Sequence, residues 1–166
     1  MSTKSSKSVR GPTKPLEGHY IITEVDPNTD EPLQPKNNAK KFVNHCGVLV
    51  RDRVPISVHE WKQKKDDPLI SFVSEREKDL LCDSVTAHFN LPAGEDLRKL
   101  VKSWALKKMA TQFQTWKKKM YNEFVKKNLT PDFSQNSPYK KLRDDWPKSV
   151  RYKTSEEGEE RVRRNQ

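Results

Sequence analysis

The chain has 166 residues, of which 32% are hydrophobic and 34% charged, with a mean hydropathy of −1.03 and a net charge of +10. That composition suits one domain with a small core and excludes a helical membrane protein, because no window approaches the roughly 18 consecutive apolar residues of a bilayer span. The opening MSTKSSKSVRGPTKP holds no apolar run, so a soluble intracellular protein without a secretory leader is expected, with Cys46 and Cys82 as buried, reduced thiols.

Residues 1–17 carry a net +3 and are rich in Ser, Thr, Lys and Pro, which reads as a disordered basic tail. His19 to Val25 has the β-branched and aromatic make-up of a strand, and Asp26-Pro27-Asn28-Thr29-Asp30 that of a turn, predicting a short hairpin that returns through Pro32-Leu33-Gln34. From Asn37, the residues Phe42, Val43, Cys46, Leu49 and Val50 recur at helical spacing, with Asn37 or Asn38 as the cap. A helix over 38–50 is expected, and the rival is a strand at Val48-Leu49-Val50.

Two capping boxes follow. Ser57-Val58-His59-Glu60 predicts a helix over 57–65 that contains Trp61, and Ser74-Glu75-Arg76-Glu77 predicts one over 75–89, with Leu81, Val85 and Phe89 on one face. Asn90-Leu91-Pro92-Ala93-Gly94 ends it, and Glu95 and Asp96 then complement the positive end of the next helix dipole.

That next helix, predicted over 96–127, dominates the chain. Leu97 to Lys127 contains ten Lys or Arg and one acid, Glu123, and so carries +9 of the net +10. As a single helix it would reach about 46 Å. Leu106, Met109, Phe113, Trp116, Met120 and Phe124 form a narrow apolar face and are expected in the core with Trp61, Leu81, Val85 and Phe89. Leu97, Leu100, Val101 and Trp104 fall on the other side. The helix therefore either meets two neighbours along its length or bends near Ala105. Residues 131–166 read as loop and charged tail, leaving 18–130 as the ordered domain. The expected fold is mainly α, with a short N-terminal β element. Its tryptophans suggest Myb-like or trihelix modules, although Trp104 and Trp116 stand closer together than in a Myb repeat.

The surface opposite the apolar face carries Lys107, Lys108, Thr111, Gln114, Thr115, Lys118, Lys119, Asn122 and Lys126, cations and hydrogen-bonding groups without an acid among them. Helices that are merely solvated mix charge signs, since like pairs at i,i+4 cost roughly 0.2–0.5 kcal/mol each. The row therefore points to a polyanion, with duplex DNA first. A solvated or protein-facing helix, self-association through the Leu97–Trp104 patch, and an acidic membrane or calmodulin-like partner are the other readings.

Chemistry has little to build on. His19, His45, His59, His88 and the two cysteines lack the paired spacing of a zinc site. The sequence contains no G-x-S-x-G, no glycine-rich phosphate loop and no H-E-x-x-H, and the acids lie in capping boxes, turns and the tail. Neither catalysis, nor a metal or other cofactor, nor a small-molecule substrate is expected.

The order of landmarks carries a resemblance. R-G-P-T (Arg10 to Thr13), F-V-N-H-C-G-V-L-V-R (Phe42 to Arg51) and V-P-I-S-x-x-x-W (Val54 to Trp61) come first. F-N-L-P (Phe89 to Pro92), W-x-L-K-K-M (Trp104 to Met109) and W-P-K-S-V-x-Y-K-x-S-E-E-G (Trp146 to Gly158) follow. Together they resemble the plant transposase family Ptta/En/Spm across nearly the whole chain. The resemblance implies a transposon-derived, DNA-binding protein of the plant nucleus. It does not imply strand transfer, which in such elements belongs to a larger catalytic protein.

Overall fold

Four α-helices and two very small sheets make up residues 18–154, the part of the chain that the computed structural model describes. The mainly helical fold is as expected. Residues 1–17 and 155–166, read above as tail, lie outside the described residues, as do the R-G-P-T and S-E-E-G ends of the resemblance.

The N-terminal apolar run divides at Ile22, which turns into the core. Strand β1 (Tyr20–Ile21) precedes it and β2 (Glu24–Val25) follows. The expected hairpin is present, with β2 antiparallel to β3 (Pro32–Gln34). Its turn is set by Asp26, whose carboxylate accepts from the backbone of Asn28 at 2.7 Å and Thr29 at 3.2 Å.

Helix α1 (Lys36–Arg53) is longer than predicted at both ends and takes in the rival strand Val48-Leu49-Val50. No side chain caps its start. Asn38, a candidate cap, instead donates from Nδ2 to the Ile21 carbonyl at 2.9 Å, tying the hairpin to the helix.

The helix predicted over 57–65 does not form. Ser57, the intended cap, gives its backbone N–H and its hydroxyl to the two carboxylate oxygens of Asp145, at 2.7 and 2.5 Å. A side chain engaged 88 residues away cannot bond the third amide of a helix, and the segment runs as turns with one bridge between Glu60 and Phe72. The second box behaves as written. Glu77 N–H donates to Ser74 Oγ at 3.1 Å and Ser74 N–H to Glu77 Oε1 at 3.2 Å, opening α2 (Glu75–Thr86).

Helix α2 stops short of residue 89 because Phe89 and Asn90 form strand β4, parallel to β1, with Tyr20 N–H donating to the His88 carbonyl and Ile22 N–H to that of Asn90. Helix α3 (Glu95–Met120) follows, and a π-helical turn, Tyr121–Val125, continues it. The Leu129 N–H then bonds the Phe124 carbonyl and the Asn128 N–H that of Val125, with Asn128 at φ 58°. That is a Schellman ending with asparagine in the left-handed position.

Along α3 the buried side chains are Val101, Ala105, Met109, Phe113, Lys117 and Met120. The first five stand at strict i,i+4 spacing, and each step of four residues advances about 40° around the axis. The apolar stripe therefore winds instead of switching sides. It meets two neighbours, as one of the two alternatives required. The first cluster, around Phe42, Val50, Val85, Met109 and Phe113, joins α3 to α1 and α2; the second gathers Ile56, Met120, Val125, Leu142 and Trp146.

Of the residues expected in the core, Trp61, Leu81, Val85, Phe89, Met109, Phe113 and Met120 are buried, whereas Leu106, Trp116 and Phe124 are half-buried against the two clusters. The second cluster alters the picture of the C-terminal part. Residues 131–154, expected as loop and tail, hold a 3₁₀ turn (Lys140–Leu142) and helix α4 (Trp146–Thr154), with Trp146 only 4% exposed. Sparse apolar residues conceal this from a periodicity argument, yet three aromatic rings, Phe124, Phe133 and Trp146, meet edge to face there.

Candidate nucleic-acid interface

The row read from the sequence lies on the outside of α3. Lys107, Thr111, Gln114, Thr115, Lys118, Lys119 and Lys126 are exposed, and Lys108 and Asn122 partly so. The ion pairs found among the described residues engage Lys78, Lys102, Lys141 and Arg143, none of them from this row. Thr111 is the one row member bonded back to its own helix, donating to the Lys107 carbonyl at 3.3 Å.

Lys117 stands apart from its neighbours. It is 6% exposed, and its ammonium donates to the carbonyls of Val58 at 2.6 Å and His59 at 2.8 Å while lying 5.1 Å from the centre of the Phe113 ring. This lysine holds the irregular 57–60 segment against α3. The run KKK at 117–119 masks this by composition, although position 117 continues the i,i+4 series Val101, Ala105, Met109, Phe113.

The row divides around the helix. Lys107, Gln114 and Lys118 form the outer strip. Lys108, Thr111, Thr115 and Lys119 turn toward α1 and line an open groove of about 610 Å³, whose other walls come from α1 and residues 138–142. The groove brings in Arg51, Gln112, Trp116, Tyr139 and Lys141, none of which the sequence reading placed in the site. Four cations, Arg51, Lys108, Lys119 and Lys141, stand against one carboxylate among the described lining residues, Asp52, which is paired with Lys141 at 3.1 Å.

The groove floor depends on a close helix approach. Gln112 Nε2 donates to the Val43 carbonyl at 3.1 Å, across α1 at the level of Gly47. A Cβ on Gly47 would stand 3.2 Å from Arg51 Nη1 and 3.3 Å from Gln112 Nε2, so glycine lets both side chains sit where they do. The Arg51 guanidinium lies 5.9 Å from the centre of the Trp116 ring, which is near-parallel to Tyr139 at 23°. Burial lowers the Arg51 pKa from its usual value, partly opposed by Asp52.

On the far side of the Asp52–Lys141 pair is a smaller pocket of about 400 Å³, walled in part by His45, Arg53, Ser84 and His88. The His45 and His88 rings meet edge to face at 5.1 Å. Burial, and then the charge of His88, lower the His45 pKa. Among the described residues no three His, Cys, Asp or Glu side chains come together in a group fit to hold a metal ion. Both cysteines are buried and free, and burial pushes the thiol pKa up to about 12 at Cys46 and about 11 at Cys82.

The patch considered for self-association is largely used within the chain. Val101 is fully buried and Trp104 packs on the first cluster, its ring 6.3 Å from that of Phe42. Leu97 is half-buried, which leaves Leu100 exposed. No helix among the described residues is long and apolar enough to cross a membrane. No protein-family model, curated protein or solved structure matches the chain.

Proposed function

We propose that the chain binds duplex DNA through the exposed face of α3, without catalysing a reaction on it, as a transposon-derived nuclear protein of the Ptta/En/Spm kind. The observation that supports this most is the acid-free row of exposed lysines and hydrogen-bonding side chains along one long helix whose other side is committed to two cores. In this reading Lys107, Lys108, Lys118, Lys119 and Lys126 neutralise phosphates. Thr115, Gln114 and Asn122 lie between them with amide or hydroxyl groups suited to base edges.

The test is affinity against salt together with a charge reversal. Neutralising about five phosphates predicts a slope of log K against log salt near −4.5, at about −0.9 per contact. Changing Lys118, Lys119 and Lys126 together to Glu should leave the melting temperature unchanged or slightly raised and reduce DNA affinity by orders of magnitude at low salt. A triple variant that folds and binds DNA as before would refute the assignment of α3 as the reading element.

A further inference from the structure

We propose that the groove between α1, α3 and residues 138–142 receives one unstacked nucleotide, so that the chain prefers DNA carrying an unpaired base to a continuous duplex. The inference rests on the DNA-binding reading of α3 and adds a ligand for the concave surface beside it.

An intact duplex is convex and meets a protruding helix face. A recess of about 610 Å³ is instead in the size range of small-molecule sites, about 300–1,000 Å³, and suits a single nucleotide. Its surroundings have the two components of a single-strand site, cations for the backbone and flat aromatic surface for the base. Arg51, Lys108, Lys119 and Lys141 supply the first; Trp116 and Tyr139 supply the second.

Gln112, on the α3 side of the recess, is fixed by its bond from Nε2 to the Val43 carbonyl at 3.1 Å, so that wall is rigid. The outer strip of α3, Lys107, Gln114 and Lys118, stays free to hold the flanking duplex while the base enters beside it.

The experiment compares two labelled duplexes of equal length by fluorescence anisotropy, one continuous and one with a single unpaired adenine, using the full chain. Affinity for the second should exceed that for the first by about tenfold, the order expected for one stacked base. Tyr139→Leu and, separately, Trp116→Leu remove flat stacking surface while keeping an apolar side chain, and should bring the ratio to within about twofold of one; Lys141→Gln should weaken binding to both probes. Equal affinity of the unaltered chain for both probes would overturn the nucleotide site and leave duplex binding standing. A preference that survives in both folded aromatic variants would also overturn it. Failure to bind either probe would remove both readings.

Discussion

Lys117 offers the sharpest separation of structure from function on α3. Its ammonium makes two hydrogen bonds to carbonyls, at 2.6 and 2.8 Å, from a side chain that is 6% exposed. Hydrogen bonds involving a charged group contribute about 1.5–3 kcal/mol each, so the two set a ceiling near 6 kcal/mol. Lys117→Met keeps a side chain of similar length and removes the cost of holding an ammonium out of water, but loses the ammonium contact over the Phe113 ring and strands the Val58 and His59 carbonyls. The net loss should be about 2–4 kcal/mol. For a domain of this size that is a fall of roughly 10 °C in Tm. Lys118→Met, one position on, should change Tm by no more than about 2 °C, as exposed substitutions usually stay within about 0.5 kcal/mol. Thermal melts by circular dichroism and DNA titrations on both variants make the comparison. Lys118→Met should weaken DNA binding; Lys117→Met, assayed well below its Tm, should not. If Lys117→Met melts like the unaltered chain and loses DNA affinity as Lys118→Met does, the 117 side chain faces the ligand and the rotation assigned to α3 is wrong.

Three further outcomes follow from burial. Trp146→Ala should cost about 3–5 kcal/mol in urea unfolding, as for other buried aromatics, whereas a loosely attached C-terminal segment would give a cost near zero. With thiol pKa values of about 11 and 12, Cys82 and Cys46 carry thiolate fractions below about one in a thousand at pH 8, so iodoacetamide should label neither until the chain unfolds; fast labelling under native conditions would contradict their burial. His45 has a folded-state pKa below its usual 6.5, so the unfolded chain takes up the proton first as pH falls. Stability should be fully present above about pH 6.5 and decline below it, and His45→Gln should flatten that part of the urea-midpoint profile; an unchanged slope would place the titrating group elsewhere.

The features legible in the sequence are those determined by neighbours along the chain. The Ser74–Glu77 box, the Asp26 turn and the Met109, Phe113 and Met120 part of the buried face of α3 all depend on residues within a few positions of one another. What escaped depends on distant partners. Ser57-x-x-Glu60 has the same pattern as Ser74-x-x-Glu77, but Asp145 takes its serine. Phe89 continues a helical pattern by spacing, yet Tyr20 recruits it into a strand. Half of the groove was invisible for the same cause: Lys108 and Lys119 stand out in a basic helix, whereas Arg51, Tyr139 and Lys141 acquire a role only when α1 and the 138–142 turn close beside them.

The parallel pairing of β1 with β4 has a consequence for the order of assembly. Tyr20 and Phe89 are 69 residues apart, so closing that connection costs about 1.7 kcal/mol more in chain entropy than closing the β2–β3 hairpin, at about 0.6 per doubling of length. During synthesis the first strand therefore leaves the ribosome long before its partner exists. The backbone N–H groups of Tyr20 and Ile22 must wait in water until the carbonyls of His88 and Asn90 arrive. The hairpin is tied to α1 by Asn38 as soon as that helix forms, and only its β1 edge is completed late. Amide exchange at Tyr20 and Ile22 should thus open at lower free energy than at Phe42 or Met109, whose partners lie in the helices.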